Sequence, residues 1–592
     1  MSDVDDDAGE WSDYEGDDDC LDDDVAEEAL DDDQESELDY DNGAVASIPG
    51  AGRRNQQVVS LKQNCLDCVV INFERFHQAF MSSGDPALLW NLKFLQRAYT
   101  SNIIKGLSLQ GRLCDKYIDF LINESLKELD IGTFIDNRCS LKAIQERIVQ
   151  VGHSFKKVLL KSPYCHMEEN LSEFVSETVC HLKNVEIIDI PRHCNDETLK
   201  NISIFCTKLK ELHIDYSSDV TEAGLELLCK DRDTECLIQV LSIKLVKLSN
   251  HATIKFLLKN MPYLEVLEFT YLPSILYSIH EEDLKNNTLE TAKKYNLTKL
   301  DFSYSYDTKL ELFLKVSTEV CPNIKTLNIH IRSEKELNLI SRFSNLEDLT
   351  IATMLQDPRE PRIDINNFLK SNGSRLKHLK LNRFSLSVSN LIQSCPKLEN
   401  LTLSAVEFQK HATKRASSNT RLSSLHELCL EDITFSEQYA EDSVTDILLS
   451  SPNLERLSFK DCVFMFENSE INTKLAKYCE DCMLQYLRFN NCNVELALLE
   501  SIILTCPSLT YLAIDSCENI SYNDVSNLQM LRNTASGFIN IVFRDLVSDD
   551  ESYVYTDYDD FSDDYDHYSD DDYDLDDYDG YDAFEDHVLW FA

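Results

Sequence analysis

A short apolar pattern, Leu-x-x-Leu-x-Leu, recurs along most of this chain of 592 residues. Its clearest copies are Leu126-Leu129-Ile131, Leu209-Leu212-Ile214, Leu346-Leu349-Ile351, Leu376-Leu379-Leu381, Leu398-Leu401-Leu403, Leu454-Leu457-Phe459, Leu484-Leu487-Phe489 and Leu509-Leu512-Ile514. From a first copy at Ile104 to a last at Leu509, sixteen copies follow one another at intervals of about 27 residues. A period of this length predicts a stacked array, because a single unit of that size cannot bury its apolar face alone.

The pattern resembles the strand core of leucine-rich repeats, and its surroundings resemble the cysteine-containing subtype. The dipeptide Cys-Pro stands just before a core at positions 321, 395 and 506. The resemblance implies an α/β solenoid, or horseshoe, of about 16 repeats over residues 101–543, with a concave parallel β-sheet and convex helices. Because the sequence has no G-x-S-x-G, H-E-x-x-H or glycine-rich phosphate loop, we expect a protein-binding surface and neither an enzyme nor a cofactor.

The net charge of −49 is concentrated at the two ends of the chain. Residues 1–42 hold 22 Asp or Glu, residues 548–592 hold 19, and neither stretch contains Lys or Arg. Such stretches repel themselves and bury little apolar surface, so disordered tails are expected at 1–50 and 545–592. Their charge disfavours nucleic acid as a partner.

The 20 cysteines are spread through the apolar body of the chain. No signal peptide or membrane-spanning run is found, which predicts reduced thiols in a cytoplasmic or nuclear protein without a membrane partner. The C-x-x-C pairs Cys65-Cys68 and Cys479-Cys482 lie in different predicted elements, so no metal site is expected.

A helical segment is predicted at residues 58–100, ahead of the repeats. Leu61, Cys65 and Val69 recur every four residues and share one helix face, and Ser60 is placed to cap the helix start. The neighbouring face is also apolar, through Val70, Phe73, Phe76 and Phe80. A helix with two apolar faces needs cover on both, so one can dock on the first repeat and the other on a partner.

Ser60, Leu61, Cys65 and Val69 resemble the BC box, the Elongin C-binding helix of cullin-RING ubiquitin ligase receptors. The Zyg class of Cullin 2 receptors is similar in placing a BC box before leucine-rich repeats. The resemblance implies a substrate-recognition subunit that binds Elongin B–Elongin C and a cullin, with Leu61 in an Elongin C pocket. The alternative is a plain helical cap; the same letters also occur, by accident, in a repeat core at Ser424-Leu425 and Cys429.

A cullin-selecting box is expected after the BC box. The Cullin 2 type has a Pro with apolar residues three and seven positions beyond it. Pro86 and Leu89 match that spacing, whereas position 93 is Lys and the residue before the Pro is Asp85. The sequence therefore favours Cullin 2 through a partial match.

Alternation of side chains along a strand places the third and fifth positions of each core on the exposed sheet face. Toward the C-terminal end these positions and their neighbours are basic or aromatic: His378, Lys380, Arg383, Arg456, Lys460, Tyr486, Arg488 and Tyr511. Such a patch suits an acidic peptide of a protein substrate. The alternative is an ordinary solvated surface of mixed charge.

Two other functions remain open. The acidic leucine-rich nuclear proteins, which bind basic partners such as histones, also join repeats to an acidic tail. They have fewer repeats and a Glu-rich tail, whereas the tail here alternates Asp with Tyr. A plain interaction scaffold needs neither the helix nor the tails.

Overall fold

The computed structural model describes residues 61–544 apart from 83–85, 161–169, 231–235, 249–250, 304–308, 355–360, 410–420, 434–437, 463–465, 467–468 and 535–538. Ser60 and both acidic tails lie outside the described residues. Within them, no helix combines the length and the apolar character that a membrane span requires.

Four α-helices precede the first described strand: α1 (Leu61–Ile71), α2 (Phe73–Ser82), α3 (Pro86–Leu109) and the short α4 (Ile118–Leu121). The strands that follow are β1 Glu128–Asp130, β2 Lys157–Leu159, β3 Ile187–Asp189, β4 Glu211–His213, β5 Val240–Ser242, β6 Val266–Glu268, β7 Lys299–Asp301, β8 Thr326–Ile331, β9 Asp348–Thr353, β10 His378–Asn382, β11 Ser385–Leu386, β12 Asn400–Ser404, β13 Glu407–Phe408, β14 Glu427–Glu431, β15 Arg456–Lys460, β16 Tyr486–Asn490, β17 Tyr511–Asp515 and β18 Asn540–Arg544.

The helices between the strands are α5 Ile131–Asp136, α6 Leu141–Val151, α7 Leu171–Val179, α8 Asp196–Phe205, α9 Glu222–Lys230, α10 Ala252–Asn260, α11 Leu272–Lys285, α12 Leu310–Val320, α13 Glu334–Ile340, α14 Asn366–Asn372, α15 Val388–Ser394, α16 Gln438–Ser450, α17 Ser469–Asp481, α18 Leu496–Thr505 and α19 Tyr522–Thr534. In most repeats a strand is thus followed by a helix that returns the chain to the start of the next strand.

The described strands form a six-stranded sheet, β1 to β6, and a ten-stranded sheet from β7 to β18, in which every pairing is parallel. The short strands β11 and β13 pair separately. Between β6 and β7 the backbone stays connected, since the Thr298 N–H donates to the Glu265 carbonyl at 2.7 Å. The predicted leucine-rich-repeat solenoid is confirmed.

The apolar pattern forms one continuous core. All three side chains in each of the eight clearest copies are buried, none more than 4% exposed. The second position of each core stacks on its counterpart, as in the register that joins Leu379 to Leu401, Leu428 and Leu457 on successive strands. Burying one such leucine stabilises the fold by roughly 1.5–3 kcal/mol, and only a neighbouring repeat can provide the cover.

The predicted start of the solenoid at residue 101 and the first core at Ile104 are wrong. Ile104, Leu107 and Leu109 match the core spacing, but they lie in the 24-residue helix α3. Residues three apart also share a face of a helix, so this spacing does not separate the two structures. The first described strand is β1, and the sixteenth in the two sheets is β18, which pairs with β17 at the end of the second sheet.

Hydrogen bonds outside the sheets tie each repeat to the next. Asparagines just before four strand cores donate to backbone carbonyls of the preceding repeat: Asn184 to His153 at 2.7 Å, Asn296 to Pro262 at 3.4 Å, Asn345 to Pro322 at 3.1 Å and Asn453 to Ser423 at 2.7 Å. After the strands, the buried thiols of Cys462, Cys492 and Cys517 donate to carbonyls of the preceding strand, those of Leu430, Phe459 and Phe489, at 3.4, 3.5 and 3.8 Å. These contacts satisfy carbonyl groups at both ends of the strands.

Replacing one core leucine should unfold the protein far more readily than replacing its exposed neighbour. Leu403 is fully buried, so Leu403→Ala should lower the free energy of unfolding by about 2–5 kcal/mol. Thr402, the preceding residue on β12, is half-buried on the opposite face of the strand. Thr402→Ala should therefore change the free energy of unfolding by about 0.5 kcal/mol or less. Urea unfolding of both variants measures the difference; equal losses would contradict the assignment of faces.

Candidate functional site

The inner side of α1 is fixed to the solenoid. Leu66, Val69 and Val70 of α1 are buried, as is Phe73 at the start of α2, and Val69, Val70 and Phe73 belong to the same core as the repeats. These positions follow the helical spacing i, i+3, i+4 and i+7, which makes one stripe. The predicted stripe of Leu61, Cys65 and Val69 therefore divides, because Val69 packs into the core.

The outer side of α1 is open. Cys65 and Cys68 are exposed, and Ile71 at the end of the helix is 62% exposed. The helix begins at Leu61, directly after the predicted cap Ser60, but the side chain of Leu61 lies outside the described residues. Cys65 is thus the predicted contact residue that the structure places at the surface.

A close approach of α3 holds α1 in place. A Cβ added to Gly106 would lie 2.7 Å from a methyl group of Val70, so the two helices pack at a distance that only glycine allows here. The Arg112 guanidinium donates to the carbonyls of Val70 and Ile71 at 2.9 and 3.2 Å. This contact satisfies carbonyls at the C-terminal end of α1.

The aromatic face predicted on α2 packs against the start of the solenoid. The ring of Phe73 meets those of Tyr117 and Phe120 edge-on at 4.8 and 5.6 Å, and Phe80 meets Phe120 at 4.8 Å. Beside them, the Glu74 carboxylate accepts hydrogen bonds from Lys116 and Tyr117, and the bond from Lys116 is the main reason why the pKa of Glu74 falls to about 2. Residues of α1 and α2 thus form a cap on the first repeat.

The cullin-selecting residues lie at the start of α3. Pro86 is the first residue of this helix, a position that suits proline because the first N–H groups of a helix have no intrahelical partner. Leu89 falls in the same turn, but both side chains lie outside the described residues. Further along, Lys93 is exposed and Phe94 is 52% exposed.

On the sheet face, three predicted residues form a stack across three strands. The Arg456 guanidinium lies 4.7 Å from the centre of the Tyr486 ring, and Tyr486 is parallel to Tyr511 at 4.9 Å and 5°. The register pairs these three residues directly, one on each of β15, β16 and β17. Burial is the main reason why the pKa of Tyr486 is raised. We call Arg456, Tyr486 and Tyr511 the Arg–Tyr–Tyr stack.

Most of the predicted basic residues have a carboxylate beside them. The pairs are Arg456 with Glu427 (3.6 Å), Lys460 with Glu431 (2.9 Å), Arg488 with Asp515 (2.9 Å) and His378 with Asp348 (3.6 Å). Lys380 and Arg383 are exposed and form no ion pair with the described residues. The patch is therefore less positive than its basic residues alone suggest.

Sequence reasoning missed these carboxylates, although the repeat register could have found them. Glu427 and Arg456 occupy the same position in adjacent cores, and so do Glu431 and Lys460. Residues at equal positions of neighbouring parallel strands lie side by side. The acidic residues of the first sheet follow the same rule, since Glu186 contacts Lys156 and Lys210 at 2.5 and 2.9 Å.

A search against models of protein families finds no match for this chain, and no curated protein matches it. Among solved structures, it is similar to a chain of the Rad7 and Elc1 complex in yeast, with 14% identity, a TM-score of 0.36, and coverage of 82% of this chain and 98% of that one. It is also similar to the TLR13–ssRNA13 complex, with 16% identity, a TM-score of 0.30, and coverage of 68% and 59%. Similarities this low carry no argument about function.

Adding one methyl group at Gly106 should loosen α1. Alanine normally favours a helix over glycine by about 1 kcal/mol, but here its Cβ would displace the buried Val70. Gly106→Ala should therefore raise hydrogen exchange across residues 61–71. Ser101→Ala, at an exposed position of the same helix, is the control and should leave that exchange unchanged. Slower exchange in Gly106→Ala would contradict the close packing.

The sheet-face ion pairs should make stability depend on pH below 4.5. Burial raises the pKa of Glu268, but Lys299 and Lys244 outweigh it and bring the pKa from 4.5 to about 2. A carboxyl group whose pKa is lower in the folded than in the unfolded protein stabilises the fold at pH values above its unfolded pKa. This contribution, at most about 3 kcal/mol, is lost as the pH falls from 4.5 to 2. Glu268→Gln should flatten the dependence of urea unfolding on pH in that window.

The control for this measurement is Glu290→Gln, since Glu290 is exposed and has no ion pair with any described residue. It should keep the pH dependence of the unchanged protein. The same slope in Glu268→Gln and the unchanged protein would contradict the assignment.

Proposed function

We propose that this chain is a substrate-recognition subunit of a cullin-RING ubiquitin ligase, in which α1 binds Elongin C and the solenoid binds a target protein. One observation carries the proposal: α1 lies outside the repeat register, is anchored along its inner stripe, and still exposes Cys65 of the BC-box-like pattern. The second copy of that pattern gives the contrast. There, Leu425 is fully buried and Cys429 lies on strand β14, so that copy offers no helix for a partner.

The Elongin C contact is assigned to one edge of α1. Leu61 and Cys65 are four residues apart and therefore share a helix face. This face lies between the anchored stripe of α1 and its open side. Val69 supports this edge from within the core. The anchoring stripe presents the edge in a fixed orientation, which reduces the entropy that binding must overcome.

The remaining ligase subunits are assigned by the same resemblance. Elongin B would join through Elongin C, and Cullin 2 would contact the start of α3 through Pro86 and Leu89. The Zyg class of receptors is similar in domain order, with the helical segment ahead of the repeats. Because α1 and α3 contact each other through Val70 and Gly106, both contacts would lie on one cap.

The substrate contact is assigned to the C-terminal part of the sheet face. The Arg–Tyr–Tyr stack offers aromatic surface beside a cation, and Lys380 and Arg383 offer charge that is not held in an ion pair with any described residue. An extended acidic peptide suits this combination, because aromatic rings supply contact area and arginine pairs with carboxylates. His378, Lys460 and Arg488 complete the predicted contact set.

Changing Cys65 should abolish capture of Elongin B–Elongin C without unfolding the protein. An aspartate at an exposed position leaves the core intact but places a charge in an apolar pocket, so Cys65→Asp should weaken binding at least 100-fold. Purified full chain and purified Elongin B–Elongin C are compared by calorimetry, with circular dichroism as the check of folding.

The matched control is Asp67→Ala. Asp67 is exposed on the same helix, about 200° around the axis from Cys65, and should bind like the unchanged chain. If folded wild-type chain fails to bind, or if Cys65→Asp binds equally well, the ligase proposal is wrong and α1 to α3 serve only as a cap.

A further inference from the structure

Three buried thiols converge near the C-terminal end of the solenoid. Cys479 lies in the last turn of α17, Cys482 directly follows that helix, and Cys506 directly follows α18. Their sulfur atoms all lie within 4.8 Å of one another, and Cys479 and Cys506 are fully buried, with Cys482 only 5% exposed. The C-x-x-C pair, for which no metal was expected, thus gains a third thiol from the next repeat.

The repeat register explains why Cys482 and Cys506 meet. The last buried residues associated with α16 are Ile447, Leu448 and Ser451, and those associated with α18 are Ile502, Ile503 and Cys506. The corresponding residues associated with α17 are Tyr478, Cys479 and Cys482. Cys482 and Cys506 therefore hold equal positions in adjacent repeats, where residues stack on each other.

Cys479 is the residue that departs from this pattern. The adjacent repeats have Leu448 and Ile503 at its position, both buried. A cysteine there gives up apolar volume in a close-packed core, which alone destabilises the fold. It also brings a sulfur atom, one helical turn before Cys482, to face the other two thiols. Cys482 and Cys506 also donate to the carbonyls of Cys479 and Leu484, both at 3.7 Å. The helix-end thiol of Cys206 makes the same kind of bond, to the Val179 carbonyl at 3.5 Å, but joins no such group among the described residues.

We propose that Cys479, Cys482 and Cys506 form a binding site for one thiophilic d10 cation, Zn²⁺ or Cu⁺. In a site with Zn–S bonds of about 2.3 Å, sulfur atoms lie about 3.8 Å apart, which is within the spacing found here. On binding, each thiol loses its proton to solvent and forms one metal–sulfur bond, with no change of oxidation state. The bound cation would cross-link α17 to the turn after α18.

Zn²⁺ and Cu⁺ differ in the number of ligands that they require. Among the described residues, no His, Asp, Glu or further Cys joins the group, and the Tyr478 hydroxyl is occupied in donating to the Ser451 carbonyl at 2.9 Å. Zn²⁺ in a structural site takes four ligands and would need a solvent ligand here, whereas soft thiolates also suit Cu⁺. Separate titrations with each cation distinguish them.

The test uses the full chain, reduced and stripped of metal, and titrated without oxygen with Zn²⁺ or Cu⁺ against a coloured chelator. Cys479→Ile, which installs the residue that α18 carries at this position, should lose one tightly bound equivalent, weakening that site at least 100-fold. The rise in Tm that the cation produces should be lost with it. Cys482→Ser, which installs the residue found at Ser451, should behave in the same way.

The control is Cys395→Ser, which removes a buried helix-end thiol of another repeat and should keep the equivalent and the rise in Tm. Circular dichroism confirms that each variant is folded. Absence of a tight equivalent in the unchanged chain, or equal stoichiometry and Tm rise in the unchanged chain and Cys479→Ile, would overturn the proposal.

Discussion

Each repeat of this protein can bury its leucines only against the repeats on either side, and the rest of the structure depends on that constraint. Parallel backbone hydrogen bonds set the register, and the register stacks leucine on leucine from β7 to β17. A stack of this kind has two ends at which apolar surface would meet water. At one end the strand β18 continues the sheet, and at the other α1, α2 and α3 cover the first repeat.

The same register controls what the surface can bind. Because equal positions of adjacent repeats lie side by side, the neighbour of a given side chain is the residue at the same position of the next repeat. This rule produces the Arg–Tyr–Tyr stack, the pairing of Glu427 with Arg456, and the meeting of Cys482 with Cys506. The helices α1 to α3 at the N-terminal end do not follow the repeat register, so α1 can keep one side exposed for a partner protein.

The fold could be predicted from the sequence because the leucine spacing is long-range and regular. The position of the first repeat could not be predicted, since Ile104 and Leu107 fit a strand core and a helix face equally well. Only the packing of α3 against α1 shows that these residues are helical. For the candidate sites, sequence reasoning considered each residue alone. It found Arg456, Tyr486 and Tyr511 but missed Glu427, whose effect on Arg456 depends on the neighbouring strand. Val69 was assigned to the partner surface because the spacing did not show which stripe of α1 faces inward.

The proposed role of α1 requires a helix that is anchored on one side and free on the other, and hydrogen exchange of the full chain with and without Elongin B–Elongin C tests this most directly. We expect slower exchange across residues 61–71 when the partner is added, and unchanged exchange in the strands β1 to β18. Unchanged exchange at 61–71, or protection confined to the sheet, would contradict it.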